Sequence, residues 1–323
     1  MISTTHAHQL GYNETEAKIL AYLSGAAYAH DPNPCSPVWI IIKTVKLLTI
    51  GVFQVHKEFH ETAHVQWKQG LETHLSDPRF RSYPVTFTGH SSGGAVASLS
   101  AMKTVVMGHR ESHQVKVVTF GQPRVGDINF ARNYDRLVPN TYRVVHKTDL
   151  MPHMPPCDKN EYYYNGNNPS KPCSSRTNGF YHQGTEIWYK DGMGSNEKHT
   201  ECLGEPRNED FQCSDMHIYD YRVEVTQTFE HAVYFDRKLS DYGEYGCPVH
   251  MGAKWYRQNG LRRRKRRRHL TSTLRFSHDS QVRLQTQINQ WRDSERNRVH
   301  RFFNPMEDFS RPMAPIGASQ IRK

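Results

Sequence analysis

The stretch VTFTGHSSGGAVAS, residues 85–98, sets two hydroxyls, Ser91 and Ser92, among three glycines directly after a β-branched run. Val85, Thr86, Phe87 and Thr88 predict a strand that ends at Gly89, and helix formers from Ala95 to Met107 predict a helix, so the chain must reverse abruptly between the two. Such a reversal lifts one side chain above the sheet. Gly89-His90-Ser91-Ser92-Gly93 fits G-x-S-x-G, the pattern of a nucleophile elbow, with Ser91 at the apex and the flanking glycines expected to relieve crowding.

Outward from this unit, Val115 to Phe120 is a short, continuous apolar strand closed by Gly121 and Pro123 and followed by a helical pattern through Phe130 and Ala131. Tyr142 to His146 forms another strand. Upstream, Glu16 to Tyr28 reads as amphipathic, and Glu58 to His74 as a helix stopped by Asp77-Pro78. Val38 to Phe53 is the most hydrophobic stretch, but it is too short for a membrane span and carries Lys43 and Lys46, so buried strands are expected there. Continuous apolar strands alternating with helices predict an α/β fold: a mostly parallel sheet with helices on both faces. Ligands of such sheets sit at the carboxyl ends of the strands, where the elbow places Ser91.

The 323 residues carry a formal net charge of +10, but the excess is local. Residues 257–323 hold 17 Lys and Arg against 5 Asp and Glu, whereas residues 1–256 hold 25 against 27. Two parts are therefore expected: a near-neutral domain, 1–256, that is 36% hydrophobic on the chain-wide average, and a basic, largely disordered extension, 257–323. The cationic run 262–268 would contact anionic surfaces through phosphates, without sequence preference. Nothing near it resembles a base-reading module, so no specific nucleic-acid partner is expected. Six cysteines, at 35, 157, 173, 202, 213 and 247, include no C-x-x-C pair and point to disulfides and an oxidising compartment. Met1 to Leu10 lacks an apolar run behind a basic start, so no signal peptide is read there.

A serine hydroxyl attacks a carbonyl only if an imidazole takes its proton and a carboxylate orients that imidazole. In elbow hydrolases the chain order is Ser, then Asp or Glu, then His. Asp149 follows the strand in TYRVVHKTDLMPHMPP, and His231 lies in QTFEHAVYFDRKL.

Four segments taken together resemble the class 3, fungal-type lipases: TGHSSGGAVAS, VVTFGQPRVGD from Val117, RVVHKTDLMPHMPP from Arg143, and EHAVYFDRKLSDYGEYGC ending at Cys247. HQGTEIWY from His182, with Cys202 and Cys213, is similar to animal and nematode-type members. The resemblance runs from about Tyr12 to Cys247 and implies an α/β-hydrolase. It makes Ser91 the nucleophile, His231 the general base and acid, and Asp149 its orienting carboxylate. His153, His182 and His217 are the rival histidines; His153 is only four residues from Asp149, and His217 lacks the HxxYF surroundings. The resemblance further implies a lipid ester or acylglycerol substrate met at a lipid–water interface, lipid catabolism in the secretory or extracellular space, and no metal or organic cofactor. It also ties the chain ends by Cys35–Cys247, and of the 15 pairings six cysteines permit, the one expected adds Cys157–Cys173 and Cys202–Cys213 because these close short local loops.

The chain also departs from the family. An Arg-Gly-Ser or Arg-Gly-Thr turn, whose hydroxyl residue donates one oxyanion hydrogen bond, is absent before Ser91. The backbone N–H of Ser92 is then the one donor expected, and early strands and the lid are expected to be missing from Cys35 to Val55. Two other readings follow. The first is a catalytically impaired, hydrolase-like binding protein. The second is a zinc metalloprotease through His60-Glu61-Thr62-Ala63-His64, an H-E-x-x-H match that lacks the usual continuation, with Glu72 and His74 as candidate third ligands.

Overall fold

The computed structural model describes residues 11–29, 54–163, 170–194, 196–217 and 230–247. The expectations for Cys35, for the strands and lid between Cys35 and Phe53, and for the basic extension fall outside these residues. The expected α/β architecture is present in the rest. Four strands run parallel: β1 (Val85–His90), β2 (Val115–Phe120), β4 (Thr141–His146) and β6 (Thr185–Tyr189). β7 (Thr200–Cys202) adds antiparallel to β6, giving the order β1-β2-β4-β6-β7. Two small antiparallel pairs stand apart: β3 (Gly126–Asp127) with β5 (Phe180–Tyr181), and β8 (Val233–Tyr234) with β9 (Arg237–Lys238).

β2 shows why the sheet must be covered on both faces, since all six of its residues are buried. Side chains alternate along a strand, so Val115 and Val117 enter one core while Val118 and Phe120 enter the other. The first core is closed by α2 (Lys57–Gln66), α4 (Ser92–Val106) and α5 (Ile128–Leu137), through Ala63, Leu99, Met102, Phe130 and Tyr134. The second is closed by α1 (Glu14–Ala26) and a short helix α6 (Leu239–Glu244), through Ala17, Leu20, Ala21 and Leu239. α1 begins two residues before the expected Glu16 because the Asn13 side chain caps it, accepting from Glu16 N–H at 2.9 Å. The helix expected over Glu58–His74 is interrupted. After α2 the chain makes a wide π-helical turn at Trp67–Leu71, with Gly70 at φ 129°, before α3 (Glu72–Ser76) and the stop at Asp77-Pro78.

Beside the strand ends that carry the elbow, the loops are fastened by buried charge. Arg124, in the loop after β2, is fully buried. Its Nε and Nη2 donate to Glu209 at 2.6 and 2.8 Å, and its Nη1 donates to the carbonyls of His153 and Pro155 at 2.6 and 3.0 Å. One guanidinium thus ties three loops together. Two expected disulfides, Cys157–Cys173 and Cys202–Cys213, are formed in the same region. Removing one member of such a pair leaves an uncompensated buried charge. Arg124→Leu is therefore expected to lower the unfolding free energy by about 3–5 kcal/mol in urea titrations, and Arg124→Leu with Glu209→Leu to recover most of the loss.

Candidate active site

Ser91 stands between the last residue of β1 and the first of α4, at φ 57° and ψ −134°. This is a sparsely populated conformation for a residue with a side chain. It is held by two hydrogen bonds: Ser91 N–H to Phe120 O, and Gly94 N–H to Ser91 O, both at 2.9 Å. The reversal brings the backbone so close that a Cβ on Gly89 would lie 2.2 Å from Gly93 O. The expectation for Gly93 fails in its physical reason, because a Cβ there would meet nothing within 4 Å beyond its chain neighbours and the backbone of its own helix. Crowding falls instead on Gly89 and on Gly94, whose Cβ would lie 3.1 Å from Thr119 and Gln122. Ser92 is exposed and opens α4, so its backbone N–H lies in the unpaired first turn of a helix.

Asp149 is three residues beyond β4 and fully buried. His231 stands two residues before β8, the first strand of the β8–β9 hairpin, and keeps 19% of its side chain exposed. The fold brings both to Ser91. His231 Nε2 lies 2.9 Å from Ser91 Oγ, and its Nδ1 lies 3.0 and 3.1 Å from the two oxygens of Asp149. Burial by itself would raise the Asp149 pKa, but the imidazole, the Tyr234 hydroxyl at 2.7 Å and the Met151 N–H at 2.9 Å outweigh it, and the pKa falls below its ordinary value. Tyr234 moves the other way. Its own burial and the neighbouring Asp149 charge raise its pKa well above the usual phenol value, so it remains a donor. Space for the Asp149–His231 contact comes from Gly121, at φ 56°, where a Cβ would lie 2.7 Å from Asp149 Oδ2 and 2.8 Å from His231 Nδ1.

The rival histidines are elsewhere. His182 is buried with Nε2 at 2.6 Å from the carbonyl of Pro152; His153 faces Asp215 at 3.5 Å; the His217 ring packs on Trp188. His60, Glu61 and His64 lie on α2, where burial and the neighbouring charges of His64 and Lys103 bring His60 down to about 4. Among the described residues, the clusters tight enough to grip a metal are Glu186–Cys202–Cys213 and Cys173–Glu209–Asp215, and the sulfurs of both are already in disulfides. His60 and His64 belong to neither.

With this geometry the relatives are informative. The family described as Lipase (class 3) matches residues 31–159. Lipase ZK262.3 of Caenorhabditis elegans is 35% identical, over 75% of this chain and 85% of its own length. The chain belongs to the class 3 lipase family. A lipase of Rhizopus niveus is 32% identical over 48% of this chain, but the match spans only 32% of the fungal protein. A solved triacylglycerol lipase, whose catalytic centre is described as a serine protease triad, superposes with a TM-score of 0.53 at 23% identity, covering 70% of this chain and 96% of its own. That likeness establishes the α/β-hydrolase fold.

The sequence of this family member points to no site role for Tyr234 or Tyr28, to none for Gly121 beyond ending a strand, and to none for His90 beyond its place in the elbow. The signal for Tyr234 was its spacing of three from His231; for Gly121 it was a glycine at the end of a buried strand. Replacing Tyr234 by Phe removes a donor to a buried carboxylate, worth about 1.5–3 kcal/mol when the acceptor is charged. Asp149 has a depressed folded-state pKa, so its contribution to stability is present above its unfolded pKa and is lost as pH falls through the folded value. The Tyr234→Phe deficit in urea unfolding should accordingly be largest near neutral pH and shrink in acid. A deficit that stays constant as pH falls from neutrality through the folded-state pKa of Asp149 would mean that the hydroxyl does not act on the ionised carboxylate.

Proposed function

We propose that this chain hydrolyses carboxylic esters of lipids, acylglycerols among them, through an acyl-serine intermediate. One observation carries the reading: Ser91 Oγ, His231 and the buried Asp149 lie in hydrogen-bonded sequence, with 2.9 Å between nucleophile and imidazole. In the first half-reaction Ser91 Oγ bonds to the ester carbonyl carbon as its proton passes to His231 Nε2. Asp149 orients the imidazole through Nδ1 and stabilises the imidazolium. The tetrahedral oxyanion is met by the Ser92 N–H, aided by the positive end of α4. On collapse the C–O bond to the alcohol breaks and His231 returns the proton to the leaving oxygen. Water, deprotonated by the same imidazole, then releases the acid and restores Ser91. No metal or organic cofactor takes part in this scheme.

Family membership supports a lipid ester as substrate and an oil–water interface as the place of action. The disulfides Cys157–Cys173 and Cys202–Cys213 support a secreted enzyme of lipid catabolism. We place the catalytic unit in residues 1–256 and assign the 257–323 extension, through the run 262–268, to attraction toward anionic lipid surfaces. A hydrolase-like binding protein is the second reading, favoured by the missing Arg-Gly-Ser or Arg-Gly-Thr turn. The loss of one oxyanion donor costs about 10²–10³ in kcat, so turnover of a short nitrophenyl ester by the chain as written should be slow but measurable. Ser91→Ala, Asp149→Asn and His231→Ala should each nearly abolish it, and double variants should lose little more because the three act as one unit. Failure of wild-type protein to label with a fluorophosphonate would favour the binding reading. Full activity in His231→Ala would remove that histidine from the mechanism.

A further inference from the structure

His231 must meet two partners at once, Ser91 through Nε2 and Asp149 through Nδ1, so its backbone has to be held as closely as its ring. Two other histidines reach that backbone. His90 is the last residue of β1 and His146 the last residue of β4, and both are buried. His90 Nε2 lies 2.7 Å from the carbonyl oxygen of His231, and His146 Nδ1 lies 3.1 Å from that of Glu230. These are successive carbonyls of one segment, gripped from the carboxyl ends of two strands that flank β2.

A carbonyl can only accept, so His90 carries its proton on Nε2 and His146 on Nδ1. Burial, with the nearby His231, lowers the His90 pKa to about 4, and burial likewise lowers that of His146, so both rings are neutral near pH 7. A neutral His90 protonated at Nε2 has a bare Nδ1, and the Tyr28 hydroxyl, 2.7 Å away, donates to it. This sets an order Tyr28 Oη–H to His90 Nδ1, then His90 Nε2–H to His231 O. The His90 ring also stacks on that of His231, with centroids 4.6 Å apart, and meets the edge of Tyr234. Neutrality matters at this distance, because a cationic His90 would oppose the imidazolium that forms on His231. Beside His146, the Glu230 side chain accepts from Thr148 N–H and Oγ, so the same segment is fixed by its side chain as well.

We propose that His90 and His146 are positioning residues: a pair of neutral imidazoles that donate to the carbonyls of His231 and Glu230 and set the backbone from which the His231 ring bridges Ser91 and Asp149. The inference rests on reading His231 as the general base. Side-chain amides test it, because Gln carries an N–H where His carries Nε2 and Asn carries one where His carries Nδ1. In the full-length chain, His90→Met and His146→Leu should each lower kcat on nitrophenyl butyrate about 10- to 100-fold with KM nearly unchanged. His90→Gln and His146→Asn should recover most of the loss. Amide variants as impaired as the apolar ones, or losses that appear in KM instead of kcat, would overturn the clamp.

A second measurement is independent of turnover. In Ser91→Ala protein at pH 7, imidazole ¹⁵N shifts should show His90 neutral and protonated at Nε2, and His146 neutral and protonated at Nδ1. The reverse tautomer or a cationic ring at either position overturns the clamp even if activity follows the expected pattern. Should Ser91→Ala retain full hydrolysis, the proposed mechanism fails, while the two tautomers still decide whether the clamp exists.

Discussion

The backbone of Ser91 is held where a side-chain-bearing residue rarely rests, and the rest of the site is arranged around that constraint. The conformation persists because Gly89 lets the strand and the first helical turn meet at a separation no Cβ would permit, and because Phe120 accepts the Ser91 amide. Strain of this kind costs about 1–3 kcal/mol and survives only when its surroundings over-determine it. Here the surroundings are a fully buried β2 on one side and, on the other, an α4 buried continuously from Gly94 to Met102. What the strain achieves is a half-buried Ser91 whose Oγ lies 2.9 Å from His231 Nε2, directly before the first turn of α4.

The second constraint is the buried carboxylate. An ionised Asp149 in the interior would be untenable alone, and it is stabilised by donors from three directions: imidazole, phenol and backbone amide. Met151 is a near neighbour of Asp149 in the chain, but the imidazole and the phenol both come from the segment at 231–234, so the site exists only while that segment stays registered with the loop after β4. Arg124 and Glu209 fix the other side of that contact, since the guanidinium ties the loop after β2 to the 153–155 turn that follows Asp149 and to the 209 region. His90 and His146 act from the strand ends on the remaining piece, the segment entering β8. Buried polar groups in this region thus hold loops that no regular hydrogen-bond ladder would order.

Much of this was legible beforehand, for particular reasons. Strand and helix on either side of Ser91 follow from β-branched and alanine-rich runs whose local preference agrees with their burial. Asp149 and His231 were singled out by order and by family resemblance, not by local chemistry, since the same chain offers His153, His182 and His217. The H-E-x-x-H match shows the limit of spacing. Two histidines one helical turn apart are a geometric fact of the helix, but a third ligand is a tertiary one, and none joins them among the described residues. Gly93 shows the same limit for a glycine. Its place in the motif suggested crowding, yet the close approach falls one residue on and four residues back.

The sequence by itself determined the alternation of strands and helices, the two-faced burial of the sheet and the elbow, while the short-range disulfides needed the family resemblance as well as loop length. The first three rest on periodicity and propensity, which are properties of neighbouring residues. Only the tertiary structure decided which histidine meets Ser91, which groups hold the Asp149 charge, why position 121 must be glycine, and which way the His90 and His146 protons point. Those outcomes depend on distances of a few ångströms between residues as many as 141 positions apart. Hydrogen bonding and close packing fall off within such distances, and no pattern along one segment encodes where a distant segment will lie.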